Sequence, residues 1–237
     1  MKVLFTGNSH TYFNDMPYTF ARLCEAATGE RPAVTMLAYS GRPLEWHIQE
    51  YFSLRFNLLH GGYDFCVIQE HGHPFPGREI LLRDGEQAAA LCRAAGVQPV
   101  ALTTWAERSR PELQPEISQA YRDFAAQSHT MLAPVGEIWA DIRETHPEVD
   151  LFWQDGGHAS PLGDYLIAVT LCSLLTGCDP VGLPARGGDF LQGAALDFKN
   201  AHAIEDPTQI EVALNPAACT EIQLAVRRGL SQNFLPV

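Results

Sequence analysis

The chain has 237 residues, enough for one sizeable core, and its 46% hydrophobic and 19% charged content fits a soluble globular protein rather than a disordered one. The 16 basic against 28 acidic residues give a net charge of −12, a field that repels phosphate backbones and argues against a nucleic-acid partner. Six cysteines (Cys24, Cys66, Cys92, Cys172, Cys178, Cys219) show no C-x-x-C spacing and fall mostly in apolar segments, the pattern of buried reduced thiols rather than disulfides or zinc ligands.

Residues 2–6 carry Val3, Leu4 and Phe5 in a row, a short buried strand that Gly7 can end abruptly. With one lysine before it, this run is too short for the apolar region of an export signal, so a cytoplasmic location is expected. Ser9 then falls on a strand-to-helix loop, with Asn14 or Asp15 as cap of the next helix and Pro17 in its first turn. Residues 19–27 space Phe20, Leu23, Cys24 and Ala27 along one helical face, and Gly29 closes it. Residues 33–38 read as a second strand, 39–43 as a loop, and 44–59 as one amphipathic stretch ended by Gly61 and Gly62.

The third strand, residues 64–69, is a continuous apolar run of the kind found in central parallel strands. A loop over 71–77, a helix over about 78–95, a strand over 98–104, a helix over 111–129, a strand over 131–135 and a helix over 137–145 follow. Ser160 and Pro161 form a helix-start signal, and the helix runs to about Thr176 before Gly177. It contains the longest apolar stretch, residues 165–175, which falls short of the ~20 residues a membrane span needs. From Asp179 onward, Gly182, Pro184, Gly187, Gly188 and Gly193 suggest an irregular segment, and 216–232 a last helix.

Strands alternating with helices argue for an α/β fold with a parallel sheet covered on both faces, in one domain spanning 1–237. Ligands of such sheets bind outside the carboxyl ends of the strands, so Ser9, Gly41, Gln69 and Trp105 are expected around one crevice.

Two segments carry chemistry. Gly7-Asn8-Ser9-His10 puts a serine just past a strand end, and Asp155-Gly156-Gly157-His158 puts a carboxylate three residues before a histidine on a glycine-bent loop. A serine needs a histidine base held by a third group before it can attack a carbonyl, and this pair of segments supplies all three. Taken singly, each is also ordinary turn chemistry, Asn8 above all.

Together and in this order, the segments resemble the SGNH (GDSL-type) hydrolases over residues 1–178, with 179–237 as an extension of open role. Gly7-Asn8-Ser9 resembles the first family block, with Asn8 in place of aspartate, and Asp155 to His158 matches the last. Ser40-Gly41 resembles the glycine block. The third block departs, reading Val67-Ile68-Gln69-Glu70-His71, with Gln69 where the family has asparagine. The resemblance implies a three-layer α/β/α sandwich on a five-stranded, mainly parallel, flavodoxin-like sheet. It implies a catalytic triad of Ser9, His158 and Asp155, with an oxyanion hole from the N–H groups of Ser9 and Gly41 and the amide of Gln69.

The expected function is acyl-ester hydrolysis with no metal or organic cofactor, on a small-molecule ester that includes acylated carbohydrates; oligomeric state stays open. Asn8, His10, His71, Phe75 and Trp105 are candidate pocket residues, while core packing is expected for Trp46 and Trp153. Three alternatives stand beside it: an acyltransferase using the same triad, a carbohydrate-binding protein on this fold, and a metal site built on His71 and His73 with Asp155 or His158.

Overall fold

The computed structural model describes residues 1–188 and 211–233. In chain order the elements are β1 (Lys2–Gly7), α1 (Ser9–Tyr12), a 3-10 turn (Phe13–Asp15), α2 (Met16–Thr28), β2 (Ala33–Ala38), α3 (Leu44–Gln49), a π-helical turn (Tyr51–Arg55), α4 (Phe56–Gly61), β3 (Phe65–Ile68), α5 (Arg78–Ala94), β4 (Gln98–Leu102), a 3-10 turn (Pro111–Leu113), α6 (Gln114–Ser128), β5 (Met131–Ala133), α7 (Val135–Thr145), α8 (Pro161–Thr176), β6 (Arg186–Gly188), β7 (Glu211–Ala213) and α9 (Pro216–Asn233).

The central sheet has the order β2-β1-β3-β4-β5 with every neighbouring pair parallel. Successive side chains of a strand face opposite layers, which explains the unbroken apolar runs. Val3 and Phe5 of β1, Val67 of β3 and Val100 and Leu102 of β4 enter the core shared by α2, α7, α8 and α9. Their neighbours Leu4, Cys66 and Ile68 pack with Leu44, Ile48, Leu58, Ala88 and Cys92 from α3, α4 and α5, and Ala101 packs with α5 and α6. The result is a three-layer α/β/α arrangement. Among the described residues no helix is long and apolar enough to cross a membrane.

The register sets where the loops converge. Gly7 pairs with Ala38, Thr6 with Ile68, Ile68 with Ala101 and Leu102 with Ala133, so the segments holding Ser9, Gly41, Gln69 and Trp105 leave the sheet from one edge.

Several local expectations are corrected. Gly7 is required for space rather than for an unusual φ: a Cβ there would run into the Thr11 hydroxyl and the Gln69 carboxamide. Asp15 takes the N-cap position of α2 without a side-chain cap bond; both it and Asn14 are left-handed (φ 52° and 48°), and the Asn14 amide bonds to Asp164 and the Ala159 carbonyl. The 44–59 stretch is not one helix, because Glu50 (φ −82°, ψ 87°) breaks it before the π-helical turn. Within the segment expected to be irregular, Arg186–Gly188 forms a strand antiparallel to Glu211–Ala213; Gly193 lies outside the described residues. The last helix joins the main core through Cys219, Ile222, Ala225 and Val226.

Candidate active site

Ser9 is the first residue of α1, a single helical turn that begins where β1 ends. Asn8 caps that turn, its Oδ1 accepting the His10 N–H at 3.1 Å, and so performs the structural role that asparagine takes in loops. His47 of α3 donates its Nε2–H to the Gly7 carbonyl at 2.7 Å and ties α3 to the same bend.

The opposite side of the site is the 150–160 loop. Phe152 and Ala159 form an antiparallel bridge, the Trp153 N–H donates to the His158 carbonyl at 2.8 Å, and Gly156 takes the left-handed conformation (φ 75°) the tip requires. Asp155 Oδ1 accepts the N–H groups of Gly157 (2.9 Å) and His158 (3.0 Å), and Oδ2 faces His158 Nδ1 at 2.6 Å. An ionised carboxylate only accepts, so Nδ1 carries the hydrogen and Nε2 is left with a lone pair. That lone pair meets the Ser9 hydroxyl at 2.8 Å across 149 residues of sequence. Burial works against charge on Asp155, yet the Gly157 N–H, the His158 imidazole and the His158 N–H outweigh it and hold the carboxyl below its ordinary value.

Around this triad the structure separates the expected pocket residues. Trp105 is only 1% exposed, so it supports the site and does not wall a pocket: its Nε1–H holds the Gly157 carbonyl at 2.9 Å, and its ring stacks on Trp139 at 4.3 Å. The two fully buried tryptophans are thus Trp105 and Trp139, while Trp46, expected in the core, is half-buried beside the Arg42 guanidinium, and Trp153 is half-buried as well. Phe75 lines a groove of about 190 Å³ with Gly72, His73, Pro74, Leu113 and Ile117. His71 is half-buried and places Nδ1 at 3.2 Å from the Pro74 carbonyl, and His10 is buried with its ring stacked on His158.

Gln69 does not offer the expected donor. One of its amide hydrogens meets Asn8 Oδ1 (3.1 Å) and the other the Glu70 carbonyl (2.9 Å), its Oε1 accepts from the Thr11 hydroxyl, and the side chain is 1% exposed. It fixes the segment carrying Ser9 instead. Gly41 keeps a φ of 64° in an exposed turn closed by the Arg42 N–H to the Tyr39 carbonyl, and the Arg42 carbonyl accepts from the Asn8 amide at 3.3 Å. That contact holds the Gly41 turn against the loop carrying Ser9.

The His71/His73 metal reading fails on geometry. His73 points Nε2 at the Trp105 carbonyl (2.9 Å) while His71 turns to Pro74, and among the described residues no group of three His, Cys, Asp or Glu side chains converges.

Two supports escape the sequence. Glu70 is fully buried and its Oε1 accepts the Leu44 N–H (3.0 Å) and the His71 N–H (2.6 Å), joining the end of β3 to the helix after Gly41; burial pushes its carboxyl up. Phe13 stacks on His158 with centroids 4.4 Å apart. A charged residue ending an apolar strand is the one available signal for Glu70; for Phe13 there is none, since phenylalanine after a turn reads as core.

No family model and no curated protein matches the sequence. Solved structures do. A DUF4886 family protein from Bacteroides uniformis aligns over 98% of this chain and 95% of its own, with 16% identity and a TM-score of 0.69. A member of the lipolytic protein G-D-S-L family from Veillonella parvula covers 74% of this chain and 97% of its own at 13% identity and a TM-score of 0.58. Axe2, an acetyl-xylooligosaccharide esterase from Geobacillus, covers 74% of this chain and 94% of its own at 12% identity and a TM-score of 0.59. At these identities the likeness is one of fold.

Proposed function

From the premise that this chain has the SGNH (GDSL-type) hydrolase fold, we propose that it is a serine hydrolase cleaving acyl esters through Ser9, His158 and Asp155. The observation that carries the reading is the continuous line from Asp155 Oδ2 through His158 to Ser9 Oγ, at 2.6 Å and 2.8 Å.

The Ser9 hydroxyl attacks the ester carbonyl while His158 Nε2 takes its proton, and Asp155 holds the tautomer and faces the imidazolium that forms. The tetrahedral oxyanion is met by the N–H groups of Ser9 and Gly41, neither of which has a partner among the described residues. Collapse breaks the ester bond, His158 returns the proton to the leaving alcohol, and water repeats the sequence on the acyl-enzyme. The similarity in fold to an acetyl-xylooligosaccharide esterase makes acetylated sugars the first natural esters to screen. The reading includes a cytoplasmic location, supported by six free cysteines of which five are buried.

The test is alcohol release from p-nitrophenyl acetate by wild type and Ser9→Ala, with intact mass read after treatment with a serine-directed phosphonate. The expected result is a single adduct in wild type only and a loss in Ser9→Ala of about a thousandfold or more. Equal turnover by a folded Ser9→Ala protein removes the assignment.

A further inference from the structure

The two hydrogen bonds of His158 leave one motion open. They hold Nδ1 and Nε2, but the ring can still rock about the line joining those atoms. The N–H and the lone pair lie in the ring plane and are tilted away from that line, so rocking misaims both toward Asp155 and Ser9. Beyond the Cβ–Cγ bond, which ties the ring to a backbone held through the His158 N–H and carbonyl, packing on the ring faces opposes this motion.

That packing is present. Phe13 stacks on the His158 imidazole at 4.4 Å with planes 16° apart, and His10 stacks on it at 4.8 Å with planes 24° apart. His10 is in turn held edge-on by His73 (4.6 Å) and Trp105 (5.1 Å). Among the described residues the His10 Nδ1 is buried without a partner, so the ring contributes through its face.

We infer that His10 and Phe13 are positioning residues for the general base, a two-ring brace that fixes the plane of His158 and receives the imidazolium when Ser9 gives up its proton. This rests on the hydrolase reading above. A flat neutral ring suits the task, because its π face attracts a cation. Position 10 stays neutral: burial first, then the neighbouring His73, His158 and His71, hold the His10 imidazole well below its usual range. What the site requires there is an uncharged ring rather than an imidazole.

The experiment compares wild type, His10→Phe, His10→Leu, Phe13→Tyr and Phe13→Leu in steady-state hydrolysis of p-nitrophenyl acetate. NMR of the His158 Cε1–H, assigned by its loss in His158→Gln, runs in parallel. Both ring-retaining variants should keep kcat within about threefold, and both leucine variants should lower it by about tenfold or more at nearly unchanged KM. The His158 resonance, displaced by the ring currents of its neighbours, should move in the leucine variants and stay near its wild-type position in the ring-retaining ones. That second readout needs no turnover, so it separates the brace from the chemistry. Wild-type kcat in both leucine variants, a His158 signal that ignores them, or a His10→Phe enzyme as impaired as His10→Leu overturns the brace. Absence of Ser9-dependent turnover in wild type removes the hydrolase reading and the positioning role with it.

Discussion

Gln69 holds three partners in a space with almost no solvent: the Thr11 hydroxyl donates to its Oε1, and its Nε2 donates to Asn8 Oδ1 and the Glu70 carbonyl. Removing the amide takes that partner from the buried Thr11 hydroxyl and the Glu70 carbonyl, while Asn8 Oδ1 keeps the His10 N–H, and an unsatisfied buried group costs about 1–3 kcal/mol. Gln69→Leu should therefore lower unfolding stability by about 2 kcal/mol or more, read as a fall in the urea midpoint at an unchanged slope. A donor to the oxyanion predicts the reverse pattern, a loss in kcat of about 3 kcal/mol of transition-state stabilisation with stability intact. The two measurements on one variant decide which job the amide does. The same reasoning separates Asn8 from the chemistry, since its Oδ1 is shared between the His10 N–H and Gln69.

At the scale of elements, the entry to α8 fixes His158. Ser160 Oγ accepts the Gly163 N–H at 3.2 Å and donates to the Asp150 carbonyl at 2.8 Å, while the Ser160 N–H donates to the Leu151 carbonyl at 2.8 Å. An N-cap of this kind is worth about 1 kcal/mol. Ser160→Ala should lose about that much stability and also lower kcat, because the cap and the base share one loop, whereas Ser160→Thr should restore both; thermal unfolding and ester turnover read the pair of effects. This helix was legible from sequence because its signals are local: Ser160, Pro161 and Gly177 bracket it. The strand Ala33–Ala38 was legible for a similar reason, lying between the helix stop at Gly29 and the Gly41 turn. The meeting of Ser9, His158 and Asp155 was legible because Asp155 and His158 stand three residues apart and Ser9 follows a strand. What the sequence did not show depends on where distant segments meet. Trp105 looked like a pocket wall until its indole proved to reach Gly157, 52 residues away. Glu50 is another case: no proline or glycine marks the break it makes in the 44–59 stretch.

Across the whole molecule, the segments that carry Ser9 and His158 are joined by a pair of side chains 150 residues apart. Asn14, five residues after Ser9, donates to Asp164 Oδ2 at 2.6 Å and to the Ala159 carbonyl at 3.2 Å, next to His158. Burial drives the Asp164 carboxyl well above its ordinary range, against the Asn14 hydrogen bond, and the nearby Asp15 pushes it further in the same direction. Among the described residues Asp164 Oδ1 and Asn14 Oδ1 are both buried and unpartnered, and a carboxylate oxygen left without a donor favours the neutral acid. A raised carboxyl pKa means that the folded state binds a proton the unfolded state releases, so its stabilisation is present at low pH and fades as pH rises through the folded value. Asp15, pushed by burial to about 6 from 3.8, adds a loss of the same sign. Asp155 acts oppositely, its depressed carboxyl losing its contribution as pH falls. Asp164→Asn reproduces the protonated acid at every pH, with an amide hydrogen in place of the acid proton. Urea midpoints followed from about pH 4 to about pH 8 should fall less steeply in the variant than in wild type, leaving the variant the more stable protein at the alkaline end. Parallel curves for the two proteins would show that Asp164 is already ionised throughout, and that the Asn14 contact carries a buried charge.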